Sequence, residues 1–426
     1  MELRCPVVLI TDLDLLRQIM VKDFVHFANR RTLGRKDDPT LINKMLFATT
    51  DQDWKNLRAA MTPAFTTGKI RHMFGVFNES SRKLTEFLNT ETRGQCKEFD
   101  MKEVLGRYTM DVIASAAFGI DSQNFKNKNS VFAQMRTRFQ NHFTGFLGTV
   151  RSFSSAVAPG IYRLLRFKCL DETATEFFTD VVLKTIKHRE TTGEKRNDFL
   201  QLIIEAKNGN LKVEENVTTM DAHENEAPEK GRPVSKVTWT DELITAQCVG
   251  FLLAGFDSNE SMFVFAAYEM ALNPDIQNRL YEEIEGAVQK HGTLNLDVVN
   301  QLEYLDMFVS GEKMGLPNFP PQIIHKLNFH LFHFVTEILR KYPPIPRTER
   351  LCTKDYKVPD TKFEIKKGTP VVIPIWSIHH DPELYPDPDK FIPERFTADE
   401  KNRRHPFAYQ PFGLGPRNCI GMLCLN

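Results

Sequence analysis

One long, almost wholly apolar helical segment constrains the fold of this sequence more than any other feature. Thr240, Asp241 and Glu242 form a typical helix start, and the helical pattern continues to about Leu272. At 1.5 Å per residue, this helix is about 50 Å long, which is enough to cross a whole domain. Because its middle is apolar on every side, we expect it to be buried in the centre of the fold.

The rest of the chain predicts a mainly α protein with a small β-region near the end. A chain of 426 residues that is 41% hydrophobic can bury a large core, and we predict a single domain over residues 1–426. The polar stretch 209–237 reads as a surface loop. Short strands follow Pro343, and Pro6 opens another. Apolar spacing predicts further helices over 11–22, 40–88, 100–118, 129–147, 171–208 and 275–290.

Charge and cysteine content exclude several classes of function. The chain has 55 Lys plus Arg and 55 Asp plus Glu, so no global field favours nucleic acid or an anionic membrane. Seven scattered cysteines without a CxxC pair argue against a disulfide scaffold and indicate a reducing compartment. The sequence holds no apolar run of about 20 residues that would span a bilayer.

A glycine-rich loop around Cys419 is the strongest chemical signal. Its glycines allow close approach to a flat ligand and leave backbone amides free to point at a sulfur. Such amides would stabilise a thiolate and tune it as an iron ligand. A buried structural cysteine in a turn is the alternative. The fixed positions of the loop are Phe412, Gly415, Arg417, Cys419 and Gly421.

A second signal lies in the middle of the long helix. Ala254, Gly255 and Phe256 precede Asp257 and Ser258, so an acid stands beside a hydroxyl in apolar surroundings. Such a pair is costly to bury unless it is used, and it could deliver protons. The alternative is a helix kink in which Ser258 bonds back to its own turn.

Several charged residues have little meaning alone. Glu337 and Arg340 lie three apart, which is a common surface pair, and Arg395 follows in a later loop. Single arginines read as solvated charges, although Trp54 and Arg58 share one helix face. The remaining members of this group are Arg30 and Arg350.

Taken together, these residues show that the sequence resembles the cytochrome P450 family over nearly the whole chain. Within that family the sequence is most similar to the insect microsomal, xenobiotic-metabolising branch. The loop matches the family's cysteine signature at every fixed position. The resemblance implies the cytochrome P450 fold, haem b as cofactor and Cys419 as the iron ligand. The haem-binding residues that it implies are Arg30, Trp54, Arg58, Ala254, Gly255, Arg350, Phe412, Gly415, Arg417 and Gly421.

The resemblance also implies roles for the two remaining groups. Asp257 and Ser258 fall on the family's oxygen-binding motif and would be catalytic, with a serine in place of the usual threonine. That serine lacks the methyl group that fixes a threonine rotamer. Glu337, Arg340 and Arg395 would form a buried structural triad.

The implied reaction inserts one oxygen atom of O₂ into a small lipophilic substrate. Electrons would come from NADPH through NADPH-cytochrome P450 reductase. The implied location is the cytosolic face of the endoplasmic reticulum membrane, with a membrane surface expected for the full-length relative and no nucleic acid as a partner. The substrate itself is not identified by any residue.

Three departures from the family qualify this expectation. The N-terminal anchor and the C-terminal helix and hairpin are absent from the sequence, so we expect a truncated chain. Residues 311–336 are interpreted as a non-family insertion, translated from a retained intron, whose deletion joins Ser310 to Glu337. Histidines 325, 330 and 333 lie in it, but their spacing gives no convergent face for a metal.

Two other functions stay open on the sequence. One is a haem-thiolate isomerase or dehydratase that needs no reductase, against which the acid and alcohol pair argues. The other is an incomplete, non-catalytic product that does not hold haem, which the truncations and the insertion favour.

Overall fold

The computed structural model describes residues 6–31, 41–127, 130–143, 148, 150, 168–208, 237–292 and 329–422. Within these ranges the protein is mainly helical, as the sequence predicts. The α-helices are α1 (Leu13–Arg17), α2 (Asp51–Met61), α3 (Thr67–Thr92), α4 (Met101–Ile113), α5 (Val131–Phe143), α6 (Glu172–Thr192), α7 (Phe199–Lys207), α8 (Asp241–Leu272), α9 (Pro274–His291), α10 (Phe329–Lys341), α11 (Ile375–His379) and α12 (Ala398–Arg403).

Five short strands form the β-region. They are β1 (Val8–Leu9), β2 (Thr348–Leu351), β3 (Tyr356–Lys357), β4 (Glu364–Ile365) and β5 (Pro370–Ile373). In the first sheet, β5 lies between β1, which is parallel to it, and β2, which is antiparallel. The antiparallel pair β3–β4 forms the second sheet. The β-region therefore joins the start of the chain to its last third.

The predicted central helix is confirmed as α8. The Thr240 hydroxyl caps it by accepting from Leu243 N at 3.1 Å. It packs on α4, α6, α7, α9 and α10. Because α8 contacts so many elements, it fixes where each of them stands relative to the others.

Two predicted helices were too long. The 40–88 prediction is interrupted before Asp51, whose backbone is left-handed (φ 51°) and is held by paired hydrogen bonds with the Asn29 side chain. Pro63 then places Thr62–Phe65 in a separate 3₁₀ turn. The 171–208 prediction breaks at Gly193 (φ 71°), after which Asp198 caps α7 through Gln201 N. Apolar spacing continued across these breaks because both flanking helices face one core.

The predicted surface loop 209–237 and most of the predicted insertion lie outside the described residues, so both remain predictions. Residues 329–336, the last eight of that insertion, form the first turns of α10 without interruption. Within the described ranges, no helix combines the length and apolarity needed to cross a bilayer.

Candidate functional site

The loop around Cys419 is a tight turn held by its own backbone. Cys419 N donates to Phe412 O at 2.9 Å. Gly413 and Gly415 both have left-handed backbones, with φ of 70° and 71°. A methyl group at Gly415 would lie 2.0 Å from the carbonyl oxygen of Met20, so only glycine fits there. The turn therefore presents Cys419 in one fixed position.

The surroundings of the Cys419 sulfur act on its ionisation in two opposite ways, of which burial is the larger. Burial raises the pKa of the Cys419 thiol, while a hydrogen bond from Gly421 N–H and the charges of Arg58 and Arg30 lower it. Three separate groups thus favour the negative sulfur that a metal ligand requires. Among the described residues, no cluster of three or more His, Cys, Asp or Glu side chains forms a different metal site.

Arg417 connects this loop to two distant parts of the chain. Its Nε donates to Ala28 O at 2.7 Å, and its Nη2 donates to Thr49 O at 2.8 Å. The guanidinium carbon lies 4.1 Å from the ring centroid of Trp54, which is a close cation–π contact. Burial, with Arg30 and Arg58 nearby, lowers the pKa of Arg417 to about 9.

The structure brings the other predicted arginines to the same place. Arg58 donates to the Asn418 backbone and side-chain oxygens at 2.9 and 2.7 Å. Arg30 Nη2 lies 3.5 Å from Arg417 O. Arg350 is 1% exposed, and burial together with Arg30 and Arg417 holds its pKa well below the usual range. Four guanidinium groups therefore repel one another around one loop.

This cluster fits a dianionic ligand. Arg30 Nε, Arg350 Nε and Arg417 Nη1 are buried and have no acceptor among the described residues. The nearby Glu349 carboxylate is bound by Arg31, which donates to both of its oxygens. Excess positive charge with unused N–H groups favours bound carboxylates, and the two propionates of haem supply them. The residues present thus fit haem beside the Cys419 sulfur.

The predicted acid and alcohol lie in the middle of α8. The Ser258 hydroxyl donates to Ala254 O at 2.6 Å, which is the back-bonded arrangement that the sequence left open. Asp257 is exposed next to it. Gly255 marks a close approach of α4, because a methyl group there would lie 2.7 Å from Ile113 Cδ1. The serine oxygen can still accept a hydrogen bond while it donates to the helix backbone.

One acid of this stretch was missed in the sequence. Glu260 is 2% exposed and accepts from Gln140 Nε2 of α5 at 3.0 Å. Burial raises the pKa of Glu260, and Arg136 opposes this. The Arg136 guanidinium also lies over the Phe256 ring, 5.6 Å from its centroid. The available signal was spacing, since Glu260 follows Asp257 by three residues in a buried helix.

The three residues of the predicted triad meet in the interior. Arg340 Nε donates to Glu337 Oε2 at 2.7 Å, and both side chains are 0% exposed. Arg395 Nε lies 3.5 Å from Glu337 Oε1, which also accepts from Ile392 N at 3.0 Å. Arg340 further donates to two carbonyl oxygens, those of His379 and Pro388. Each of the two arginines thus forms an ion pair with Glu337, although Arg395 Nε makes no hydrogen bond among the described residues.

His379 links the triad to the cysteine loop and was also missed. Gln410 N donates to its Nε2 at 3.0 Å, so Nδ1 carries the proton and donates to Arg340 O at 3.2 Å. Burial lowers the pKa of His379 to about 3, so the ring is neutral. No sequence signal pointed to it, because a histidine at the end of a five-residue helix has no pattern that indicates its distant partners. Phe412 packs nearby against the cluster that contains Ile338.

Comparisons with known proteins agree with one family. The family model described as cytochrome P450 matches residues 3–311 and 330–423. Cytochrome P450 9e2 of Blattella germanica is 36% identical, over 99% of this chain and 75% of that protein. Probable cytochrome P450 6a14 of Drosophila melanogaster is also 36% identical, over 97% of this chain and 74% of that protein. Cytochrome P450 6k1 of Blattella germanica is 33% identical, with 98% and 73% covered.

Proposed function

The chain belongs to the cytochrome P450 family and is therefore a haem-thiolate monooxygenase with haem b as its cofactor; from this premise we propose which of its residues hold the haem, which move protons and which partner supplies electrons. Bound haem supplies the activation of O₂ and the transfer of one oxygen atom to the substrate. The protein contributes the sulfur ligand, the charges that orient the cofactor and the exclusion of water.

Cys419 is the proposed iron ligand, and its surroundings are the observation that carries the proposal. Gly421 N–H and the charges of Arg58 and Arg30 favour the thiolate against the cost of burial. The glycines at 413 and 415 let the loop turn tightly enough to present the sulfur. A thiolate that is stabilised by a backbone N–H and by nearby positive charges donates electron density to iron, which is the contribution of this ligand in haem-thiolate enzymes.

The arginine cluster is the proposed propionate site. Arg30, Arg350 and Arg417 each have a buried N–H without an acceptor in the described chain. Trp54 supports the cluster by stacking under the Arg417 guanidinium. Ala254, Gly255 and Phe412 are proposed to contact the cofactor face, which small or flat side chains allow.

Asp257 and Ser258 are the proposed proton pathway. Asp257 is exposed and can exchange protons with water, while the neighbouring Ser258 oxygen lies deeper on the same helix. The serine hydroxyl can pass its proton onwards and take one from Asp257 in return. This acid and alcohol pair favours oxygen chemistry over a haem-thiolate isomerase, which needs no delivered protons.

We assign Glu337, Arg340 and Arg395 a structural role, because their charges are satisfied by one another and by backbone groups. The family uses a redox partner and lipophilic substrates. The specific partner that we propose is NADPH-cytochrome P450 reductase at the cytosolic face of the endoplasmic reticulum membrane. The resemblance to insect microsomal proteins supports this location.

A carbon monoxide difference spectrum tests the proposal. We expect the expressed chain to take up haem and, when reduced, to give the red-shifted Soret band of thiolate-ligated haem. Cys419→Ser should abolish that band. Cys352→Ser is the matched control, since Cys352 is a buried thiol that donates to Lys354 O at 2.8 Å in another part of the fold. A wild-type chain without haem, or an unchanged band in Cys419→Ser, contradicts the proposal.

A further inference from the structure

The side chain of Gln247 fastens a neighbouring segment to α8. It is 2% exposed and lies in the first half of that helix. Its Nε2 donates to Lys44 O at 2.6 Å, and its Oε1 accepts from Leu46 N at 3.0 Å. The one side-chain amide thus satisfies two backbone groups of a stretch that belongs to no sheet or α-helix, Lys44 O and Leu46 N–H. Such a double contact fixes both the position and the rotation of that stretch.

The segment of residues 41–49, here called the 41–49 segment, is held in its middle by Gln247 and at its last residue by the proposed haem site. Thr49 O accepts from Arg417 Nη2 at 2.8 Å. Leu46 packs beside Trp54, on which Arg417 stacks. The second half of the segment therefore runs from Gln247 on α8 to the cysteine loop, and it is fastened at both places by a buried polar side chain.

Where Gln247 binds it, the segment also lies directly against α8. Met45 is 0% exposed, and a methyl group at Gly250 would lie 3.2 Å from its Cγ. Gln247, Gly250 and Ala254 are spaced by three and four residues, so they share one face of the helix. The 41–49 segment thus covers the turn of α8 that precedes Ala254, on the face that Ala254 belongs to.

We propose that Gln247 is a positioning residue that sets the wall of the substrate pocket by fastening the 41–49 segment to α8. The inference rests on the proposed function, because Ala254 is taken to face the cofactor. Gln247 itself touches neither substrate nor cofactor. Without its amide, the segment keeps the Arg417 contact but loses the register of Met45 against Gly250, so the pocket wall next to Ala254 loosens.

The test uses two Gln247 variants of the full chain and one matched control. Gln247→Leu removes both hydrogen bonds at similar volume. Gln247→Met also removes both hydrogen bonds without burying a charge, and it serves as the second variant if the leucine variant folds poorly. Thr245→Val is the control, because Thr245 is 1% exposed on the same helix and its hydroxyl donates only within that helix, to Asp241 O at 2.7 Å.

Hydrogen–deuterium exchange of the 41–49 peptide is the first readout. We expect roughly fivefold or faster exchange in Gln247→Leu, the effect of losing one net hydrogen bond, with the α6 peptide unchanged. Gln247→Met should exchange as fast as Gln247→Leu, and Thr245→Val should match the wild type. Equal exchange in Gln247→Leu and Thr245→Val overturns the inference, whether or not the preparation holds haem.

Azole binding is the second readout, with 4-phenylimidazole and imidazole as the probes. The phenyl ring reaches the pocket wall, whereas imidazole alone reports on the iron. We expect the dissociation constant of 4-phenylimidazole to rise roughly tenfold in Gln247→Leu, with imidazole nearly unchanged. Faster exchange with an unchanged ratio of the two constants overturns the role in the pocket. A wild-type chain that exchanges as expected but takes up no haem contradicts the proposed function and not the fastening by Gln247.

Discussion

Two buried arginine groups in this protein are balanced in opposite ways. Around Arg340, the Glu337 carboxylate and backbone oxygens accept from the Arg340 guanidinium, and the same carboxylate forms an ion pair with Arg395, although Arg395 Nε has no hydrogen-bond acceptor in the described chain. Around Arg350, neighbouring arginines repel one another, and N–H groups of Arg30, Arg350 and Arg417 have no acceptor within the described chain. A compensated group stabilises the fold by itself. An uncompensated one has a cost that only a ligand of opposite charge removes, so it indicates a binding site.

The largest expected effect comes from breaking the compensated group. Arg340→Met leaves the fully buried Glu337 carboxylate without its main partner, and we expect a loss of about 3–5 kcal/mol in the free energy of unfolding. Denaturant titration measures it. The Glu337→Gln/Arg340→Met double variant removes both charges and should regain more than about 1 kcal/mol of that loss. If Arg340→Met alone costs less than about 3 kcal/mol, the triad does not stabilise the fold in the way proposed.

A pH-dependent effect is expected at His379, which joins the compensated group to the cysteine loop. Its pKa of about 3 in the fold lies below the ordinary 6.5, so between these values only the unfolded chain binds the proton. Stability from this residue is complete above pH 6.5 and is lost as the pH falls. Between pH 6.5 and pH 5 the loss is about 2 kcal/mol.

The difference in unfolding free energy between wild type and His379→Gln isolates this effect. The glutamine oxygen can still accept from Gln410 N, so the fold contact is kept. Subtraction also cancels Glu283, whose pKa burial raises to about 7 and whose effect on stability has the opposite sign. A difference that does not change with pH between 6.5 and 5 is incompatible with a neutral buried ring.

A smaller effect is expected from deleting residues 311–336, which end directly before Glu337. After deletion, Leu305, Phe308, Val309 and Ser310 would occupy the positions now held by Leu331, Phe334, Val335 and Thr336. Because these pairs are identical or nearly so, we expect α10 and the triad to persist with a change within about 1.5 kcal/mol. Thermal unfolding and haem content check this. Failure to fold would show that the 26 residues belong to the domain.

The smallest effect on stability is expected in the uncompensated group. Arg350→Met removes a buried charge that other arginines repel, so the unfolding free energy of the haem-free chain should change by less than about 1 kcal/mol. Release of haem to an acceptor globin should nevertheless become roughly tenfold faster, since one charge-assisted contact is lost. An unchanged rate of haem release would show that Arg350 does not bind the haem, and the contrast between the two arginine groups would then be weaker.

Much of the fold and site could be predicted because the signals were local. The length and burial of α8 followed from apolar residues on all its faces, and the cysteine loop followed from its glycines. The breaks at Asp51 and Gly193 could not be found in this way. They depend on the Asn29 side chain and on a left-handed residue between two helices of one core. His379, Glu260 and Gln247 were missed because their partners are far away in the sequence.

The sequence by itself determined the family, and it predicts the iron ligand and the residue types that the chemistry needs. Each of these follows from a short motif, and the spacing of such a motif can be recognised without knowledge of the fold. Only the tertiary structure decided which arginines are compensated and which are not. It also showed that Gln247 fastens the middle of the 41–49 segment and that Arg417 fastens its last residue. The physical reason is that the cost of a buried charge or amide depends on its acceptors, and packing alone brings those together.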